Sequence, residues 1–283
     1  MAILGAPIRL GSISGGRFDL APSAIRQALA RYSTWYGGIA DDVRSVAASD
    51  LGDVSIAELR PEEAKEPLAA AVVDALAQSD AVVILGGDNS LTRPGVHGLE
   101  LPLDRVGLIT LDAHLDFRDL DAGLTNGNPV RALLEDGLPG ENVTQIGIQE
   151  FANSRKYLRD AVDAGITWVP VDEVGAIGIA QVVQERLEDL GERVDAIYVD
   201  LDLDVLDRAF APACPGSRPG GLQSREVMRA VRHFGHHPSV RAIDLVEVDP
   251  ERDVADITVL TAAACLLVFA AGMADRLGGS ERG

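Results

Sequence analysis

The sequence predicts an α/β fold, a single three-layer αβα domain with a mostly parallel sheet. Three observations lead to this prediction: short apolar runs read as strands, helical patterns lie between them, and the two alternate along all 283 residues. A parallel strand pair needs a crossover connection, which the intervening helices supply. Since no repeat, linker or low-complexity block divides the chain, residues 1–283 are expected to form one domain.

The predicted strands are apolar or β-branched runs of the kind that parallel sheets bury on both faces. They cover residues 81–85, 106–111, 143–148, 196–201 and 240–246. Several of the predicted helices begin near Ser, Thr or Pro, which favour helix starts. They cover residues 22–30, 61–78, 130–135, 154–164, 180–190, 224–233 and 258–274. Ligands of such sheets bind beyond the carboxyl ends of the strands, so the functional site is expected there.

Composition limits the partners and the compartment. The chain has 25 Lys and Arg against 44 Asp and Glu, a formal charge of −19, which argues against nucleic-acid binding. Cys214 and Cys265 match no zinc or redox spacing, so a reducing cytoplasm is expected. The N-terminus lacks the features of a secretory signal. The longest apolar run, residues 262–273, is shorter than the ~20 residues that cross a bilayer, so no membrane partner is expected.

Polar residues lie at the ends of three of the predicted strands. The segments are Leu-Gly-Gly-Asp-Asn-Ser at 85–90, Leu-Asp-Ala-His-Leu-Asp at 111–116 and Val-Asp-Leu-Asp-Leu-Asp-Val-Leu-Asp at 199–207. A single Asp in such a place is often only a helix cap or a turn residue. Three such segments in one chain indicate a site.

The spacing within two of these segments places acidic side chains together. Side chains two residues apart in an extended segment point to the same side. The residues with this spacing are Asp112, His114 and Asp116 in the second segment, and Asp200, Asp202 and Asp204 in the third. Asp200 belongs to this face only if the strand is still regular there.

Converging carboxylates imply bound cations. Like charges a few ångströms apart raise one another's pKa and destabilise the fold unless a cation neutralises them. Oxygen ligands with a single imidazole favour Mn²⁺ or a similar ion over zinc. The number of carboxylates that can bridge fits two ions about 3.5–4 Å apart, a geometry that activates water.

These motifs resemble those of the ureohydrolases, the family of arginase, agmatinase and formimidoylglutamase. The three segments are similar to the family's Gly-Gly-Asp-His-Ser, Asp-Ala-His-x-Asp and Ser-x-Asp-x-Asp-x-x-Asp-Pro motifs, and the resemblance extends from residues 16–22 to residues 244–250. It implies an arginase-like version of the predicted fold, a homo-oligomer and two Mn²⁺ ions. It further implies that Asp112 and Asp202 bridge the ions, that Asp116 completes the first site, and that His114 and Asp204 complete the second.

The resemblance also implies two catalytic roles. Glu247 matches the family's acidic residue that pairs with an amidine or guanidine group, whose two N–H groups a carboxylate can accept together. Asp116 is implied to share the proton transfers. The alternative for Glu247 is a charge that merely ends a strand before Pro250.

Two asparagines depart from the family pattern. Asn89 stands where most members have a metal-bound histidine, so the first metal site is expected to be weakened; the side chain is either a weak amide ligand or only holds the turn at Gly86 and Gly87. Asn126 aligns with a histidine proposed to transfer protons in arginase. An amide cannot do this, which argues against arginase itself.

Within the family, residues 116–119, 125–131 and 145–154 look most like formimidoylglutamase. Its substrate, N-formimidoyl-L-glutamate, has an amidine and two carboxylates, which guanidinium groups bind in a fork. Arg118 first and Arg131 second are the predicted carboxylate-binding residues, with Asn126 and Glu247 as further substrate contacts. The alternatives are a surface ion pair of Arg118 with Asp119 and a loop-bracing role for Arg131.

The sequence thus predicts a manganese-dependent C–N hydrolase that converts N-formimidoyl-L-glutamate to L-glutamate and formamide in histidine degradation. The first alternative is an agmatinase or another guanidino hydrolase that releases urea. The second, motivated by Asn89 and Asn126, is an inactive binding or regulatory relative.

Overall fold

The centre of the protein is a parallel β-sheet, seen in a computed structural model that describes residues 1–37 and 41–279. Its strands are β1 (Ala2–Ala6), β2 (Ser49–Asp53), β3 (Val82–Gly86), β4 (Val106–Leu111), β5 (Val143–Ile148), β6 (Thr167–Pro170), β7 (Ala196–Asp202) and β8 (Val240–Val246). The strand order is β2-β1-β3-β8-β7-β4-β5-β6, and all neighbours pair in parallel. The sequence prediction of a mostly parallel α/β sheet is confirmed.

Helices cover both faces of this sheet. They are α1 (Ala21–Leu29), α2 (Pro61–Leu76), α3 (Thr92–His97), α4 (Pro129–Asp136), α5 (Arg155–Asp163), α6 (Val171–Ile177), α7 (Ile179–Gly191), α8 (Ser224–His236) and α9 (Ile257–Gly279). Helices α1 and α6 to α9 contribute to one apolar core, and α2 to α5 contribute to the other. The domain is therefore three-layered.

The central strands are buried on both faces, which explains their continuous apolar sequences. Side chains alternate between the two cores along β4: Ile109 and Leu111 belong to one core, whereas Val106 and Leu108 belong to the other. Burial of both sets fixes the register of the strand, because a slip of one residue would exchange them.

Helix α9 is longer than the apolar run that the sequence analysis considered. By length and composition, Ile257–Leu277 could cross a membrane, with a mean hydropathy of 2.2. However, 78% of its most apolar window is buried inside the fold, where Phe269 and Met273 belong to the core that also contains residues of α1 and α8. An apolar sequence of this kind is what a core helix requires.

The observed strands agree with the predicted ones where the apolar signal is strong. Strands β4, β5 and β8 have the predicted bounds, β7 is one residue longer at its carboxyl end, and β3 is shifted by one residue at both ends. Strands β1, β2 and β6 and helices α3 and α6 were not predicted. Edge strand β2, Ser-Asp-Leu-Gly-Asp, is exposed throughout and has no apolar run to reveal it. The predicted domain limits of 1–283 include residues outside the described ones.

Candidate active site

Four adjacent strands at the middle of the sheet end beside one another, and polar residues follow each of them. The strands are β3, β8, β7 and β4, in that order across the sheet. The residues that follow or end them are Asn89 after β3, Glu247 after β8, Asp202 and Asp204 at the end of β7, and Asp112, His114 and Asp116 after β4. The expected position at the carboxyl edge of the sheet is therefore occupied by the predicted side chains.

Asp112, His114 and Asp204 form a cluster that can hold a metal ion. One potential ligand atom of each lies within 4.8 Å of the others. His114 Nδ1 is 3.0 Å from Asp204 Oδ2 and 3.3 Å from Asp112 Oδ1. Among the described residues, the buried Asp112 Oδ2 has no hydrogen-bond partner. Because a buried carboxylate oxygen without a partner is costly, this atom fits a cation ligand.

The local backbone that brings these residues together differs from the extended segment predicted from the sequence. Strand β4 ends at Leu111, and Asp116 has a positive φ of 52°. Asp204 lies in a 3₁₀ turn, Leu203–Val205, where its N–H donates to Asp202 Oδ1 over 2.8 Å. The expectation of simple strand alternation was therefore wrong for these segments, because tight turns aim the side chains instead.

Asp200 is the residue of the third segment that does lie in a regular strand. It pairs in register with Thr110 of β4 and Asp244 of β8. Its side chain is fully buried, and it does not line the cavity described below. Burial, followed by the charge of Asp244, holds the pKa of Asp200 well above its usual range. Asp200 is therefore a buried carboxyl group beneath the cluster whose protonated form is favoured.

The electrostatics of the cluster also favour a cation. Burial, with the charge of Asp204, raises the pKa of Asp112 to about 6. Burial holds the pKa values of Asp116 and Asp202 well above their usual range, with neighbouring carboxylates adding to the effect. Burial opposes charge on His114, but the carboxylates of Asp204 and Asp112 prevail and raise its pKa to about 11. One imidazolium cannot neutralise four converging carboxylates, whereas divalent cations can.

Glu247 is held in place by two asparagines. Its Oε1 accepts the backbone N–H of Asn89 at 2.8 Å and Nδ2 of Asn126 at 3.0 Å. Asn126 is itself fixed, since its Oδ1 accepts the N–H of Ile13. Glu247 has a φ of 66°, which is uncommon for a residue other than glycine and is often found at functional sites. Burial, with the charge of Asp88, raises its pKa to about 8.

The Asn89 side chain contacts a metal-ligand candidate through its amide nitrogen. Nδ2 donates to Asp116 Oδ2 at 2.6 Å, and Oδ1 accepts the hydroxyl of Thr92 at 2.7 Å. The oxygen, which is the atom that could bind a cation, is thus used by Thr92. In this arrangement Asn89 orients Asp116, in keeping with the alternative in which it is not a ligand.

A cavity of about 390 Å³ opens above the cluster. Five acidic or imidazole side chains line it: His114, Asp116, Asp202, Asp204 and Glu247. Two exposed arginines, Arg118 and Arg218, also line it. A volume of this size accommodates a small molecule. The lining suits a ligand that carries both cationic and anionic groups.

The family of the protein follows from its sequence. The sequence profile of the Arginase family matches residues 1–271. The chain belongs to the arginase family. A formimidoylglutamase of Halalkalibacterium halodurans is 35% identical to it over 274 residues, which are 95% of this chain and 86% of that protein.

Solved structures show the same arginase-family fold. The crystal structure of formimidoylglutamase from Bacillus subtilis superposes with a TM-score of 0.91 at 34% identity, covering 96% of this chain and 86% of that one. The structure of Trypanosoma cruzi formiminoglutamase with Mn²⁺ gives a TM-score of 0.89 at 26% identity, covering 97% of this chain and 93% of that one. The arginase-family fold thus holds Mn²⁺ in a relative, and this chain has a cluster suited to a metal ion.

Most of the residues predicted from the sequence of this arginase-family protein meet at the cavity, but Arg131 does not line it. The guanidinium of Arg131 donates to the carbonyl of Phe117 at 3.0 Å and to Asp160 at 2.6 Å. It also lies over the Phe117 ring, 4.7 Å from the centroid. The substrate-binding prediction for Arg131 is corrected accordingly, because its donors brace the loop, as the alternative had it.

Arg118 lines the cavity and is not paired with Asp119. Among the described residues, Asp119 forms ion pairs with Lys156 at 2.7 Å and Arg131 at 3.7 Å instead. The Arg118 stem passes over Gly127, where an added Cβ would lie 2.6 Å from Arg118 Cδ. Glycine at this position therefore allows the arginine to lie along the cavity wall.

Sequence reasoning missed two contributors to the site. Arg218 lines the cavity, and in sequence it lies between two Pro- and Gly-containing runs, residues 211–216 and 219–221. Asn153 clamps the segment after β4: its Oδ1 accepts the N–H of Leu115 and its Nδ2 donates to the carbonyl of Ala113. Neither role has a sequence signature, since both depend on loops that meet only in the folded chain.

Proposed function

We propose that this protein hydrolyses N-formimidoyl-L-glutamate to L-glutamate and formamide. The observation that carries the proposal is the lining of the cavity, which brings a group of carboxylates and two arginines, Arg118 and Arg218, to one site of small-molecule size. The carboxylates suit the amidinium of this substrate, and the arginines suit its two carboxylates. The formimidoylglutamases among its relatives support the same substrate.

The residues proposed to hold two Mn²⁺ ions are those of the acidic cluster. Asp112 and Asp202 would bridge the ions, Asp116 would complete the first site, and His114 and Asp204 would complete the second. The unpartnered Asp112 Oδ2 and the hard oxygen ligands support this assignment. We propose that the first site is the weaker one, because Asn89 directs its nitrogen rather than its oxygen toward Asp116. When bound, such ions supply a water molecule of lowered pKa at neutral pH.

Glu247 is proposed to bind and orient the amidinium. Its Oε1 is already fixed by Asn89 and Asn126, so Oε2 remains for the substrate. The positive charge of the amidinium favours the ionised form of this carboxyl group, whose pKa burial raises to about 8. Binding of the cationic substrate and ionisation of Glu247 therefore support each other.

Asp116 is proposed to hold and return the proton that the reaction moves. Its Oδ2 accepts from Asn89, which leaves Oδ1 for a proton or a ligand. Burial, with the charge of Asp112, raises the pKa of Asp116 well above its usual range when no cation is bound. The leaving nitrogen of glutamate must be protonated as the C–N bond breaks, and we propose that Asp116 shares in this proton transfer.

The experiment compares three substrates on one sample of known metal content. Formamide release from N-formimidoyl-L-glutamate should require Mn²⁺ and should be abolished by Asp202→Ala. Urea release from agmatine and arginine, measured in parallel, should be negligible. Robust urea release without formamide release would make the protein a guanidino hydrolase. A protein that retains no Mn²⁺ at near-millimolar supply and shows no turnover would be an inactive relative.

Three further expectations accompany this proposal. Residues 1–283 form one catalytic domain, the enzyme works in the cytoplasm, and it assembles as a homo-oligomer. Both cysteines are buried and unpaired, which suits a reducing compartment. Light scattering on a size-exclusion column measures the assembly directly, and a monomer at micromolar concentration would overturn that part.

A further inference from the structure

Arg218 reaches the cavity from the loop that connects β7 to α8. The loop is pinned close to Arg218 on both sides, since the Arg218 carbonyl accepts the N–H of Arg208 at 3.0 Å and the Gly220 N–H donates to Asp207 Oδ2 at 2.7 Å. The neighbouring Ser217 is buried and donates its hydroxyl to the carbonyl of Ala211. The exposed Arg218 side chain therefore extends from a fixed backbone.

The same loop packs directly against the acidic cluster. A Cβ added at Gly216 would lie 2.0 Å from Asp204 Oδ2 and 3.0 Å from His114 Cε1. No side chain fits between the loop and these two residues. The Arg218 guanidinium accordingly lies beside the cluster, with Nη1 2.8 Å from His114 Nε2 and 2.7 Å from the Gly216 carbonyl that it donates to.

The Arg218 guanidinium lacks an acidic partner. Among the ion pairs of residues 1–37 and 41–279, none includes Arg218 or Arg118. Two unpaired arginines that face one cavity offer donors to an anionic ligand.

The contacts of Arg218 leave part of its guanidinium available. Among the described residues, both of its side-chain contacts, to His114 and to the Gly216 carbonyl, involve Nη1, so the Nε and Nη2 donors remain for an acceptor on a ligand. A substrate carboxylate is such an acceptor.

On this basis we propose that Arg218 is a specificity-determining residue that binds the α-carboxylate of the substrate, the one on the carbon that bears the amidine nitrogen. The inference rests on the proposed function. Because Arg218 touches His114, it lies next to the end of the cavity where the amidine reacts, and the α-carboxylate is two bonds from the amidine nitrogen. Arg118, which lies over Gly127, is left for the distal carboxylate.

The test pairs a side-chain truncation with a substrate truncation. Arg218→Ala should lower kcat/KM for N-formimidoyl-L-glutamate about 100-fold, chiefly through KM, because a carboxylate loses its charged partner. With N-formimidoyl-4-aminobutyrate, which lacks the α-carboxylate, the same variant should change kcat/KM less than about threefold. Arg218→Lys, which keeps the charge without the fork, should lie between. Arg225→Ala removes an exposed charge from the start of α8 and should leave both substrates unaffected.

Two further measurements separate the explanations. Manganese content and thermal unfolding of Arg218→Ala should match the wild type; an equal loss of kcat/KM on both substrates would show that Arg218 only supports the cluster, and the proposal would fail. Calorimetric binding of L-glutamate and 4-aminobutyrate to the manganese-loaded protein should show that Arg218→Ala weakens only glutamate. If the wild type released no formamide but glutamate binding still depended on Arg218, the proposed reaction would be wrong and the carboxylate site would stand. If glutamate binding did not depend on Arg218, the carboxylate site itself would be wrong.

Discussion

Asn89 Nδ2 donates a hydrogen bond of 2.6 Å to Asp116 Oδ2, so an amide N–H group faces the carboxylate that a cation would otherwise share. The Asn89 oxygen is meanwhile bound to Thr92. In this orientation the neutral amide partly satisfies the carboxylate, and its oxygen does not face Asp116. This explains in physical terms why one side of the cluster is expected to bind metal weakly.

Replacing Asn89 with histidine should strengthen that side. An imidazole nitrogen is a better ligand for Mn²⁺ than an amide oxygen, so Asn89→His should retain more metal after desalting and should reach full activity at a lower Mn²⁺ concentration. Metal analysis and a Mn²⁺ titration of activity measure both effects. Asn89→Ala is the matched control, because it removes the hydrogen bond to Asp116 without adding a ligand; equal manganese retention by the two variants would contradict the prediction.

The metal-free protein should become less stable as pH rises from about 5 to 8. Burial raises the pKa values of Asp112 and Asp244 from 3.8 to about 6 and that of Glu247 from 4.5 to about 8. A carboxyl group whose pKa is higher in the folded than in the unfolded state stabilises the fold below the unfolded value, and this contribution is lost as pH rises through the folded value. Thermal unfolding with a chelator measures the decline, and Mn²⁺ should raise the unfolding temperature more at pH 8 than at pH 5.

Asp112→Asn isolates one of these contributions. In the wild type, the backbone N–H of His114 donates to Asp112 Oδ1 at 2.6 Å. The amide oxygen of asparagine can accept the same hydrogen bond, but the amide group does not ionise. The metal-free variant should therefore lose about 1 kcal/mol less stability than the wild type between pH 5 and 8. It should also gain little from Mn²⁺. Parallel pH curves for the two metal-free proteins would contradict this assignment.

Asn126 should affect catalysis through Glu247. Asn126→Ala removes the donor that fixes Glu247 Oε1 from the cavity side, so we expect kcat/KM to fall roughly 10-fold, the equivalent of about 1.4 kcal/mol for a hydrogen bond to a charged group. Asn126→Asp places a second carboxylate against Glu247 and should be more damaging, with its activity recovering toward lower pH. Asn126→Ser, which can still donate, is the conservative control; if it were no more active than the alanine variant, the positioning role would be wrong.

Features that depend on residues close together in the sequence were predicted better than features that depend on tertiary contacts. Strand β4 and its neighbours were predicted well, because burial on both faces imposes a continuous apolar run. The grouping of Asp112, His114 and Asp204 was also predicted, although through the wrong local geometry. Asp116 is aimed by a positive φ of 52° that no spacing rule indicates.

The limits of sequence reasoning are clearest for the arginines. Arg131 and Arg118 both follow β4 and have the same side chain, yet only Arg118 lines the cavity. The difference lies in their contacts. The Arg131 guanidinium donates to Asp160, which is distant in sequence, whereas the Arg118 stem packs over Gly127, where a larger residue would collide with it. Arg218 comes from a loop about a hundred residues later. Which arginine meets the ligand is decided by tertiary contacts.

Truncating Arg118 should therefore affect substrate binding, and truncating Arg131 should affect stability. Arg118→Ala should raise KM for N-formimidoyl-L-glutamate about 10- to 100-fold while leaving the unfolding temperature within about 1 °C, because the side chain is exposed and bonds to no acid in the described part of the chain. Arg131→Ala should lower stability by about 1–3 kcal/mol, because it leaves the Phe117 carbonyl without this donor and leaves Asp160 with Lys156 alone. Its KM should change by less than about threefold. Steady-state kinetics and thermal unfolding of both variants check the pair: a large KM effect in Arg131→Ala at unchanged stability would restore it as a substrate ligand, and an unchanged KM in Arg118→Ala would remove that residue from the carboxylate site.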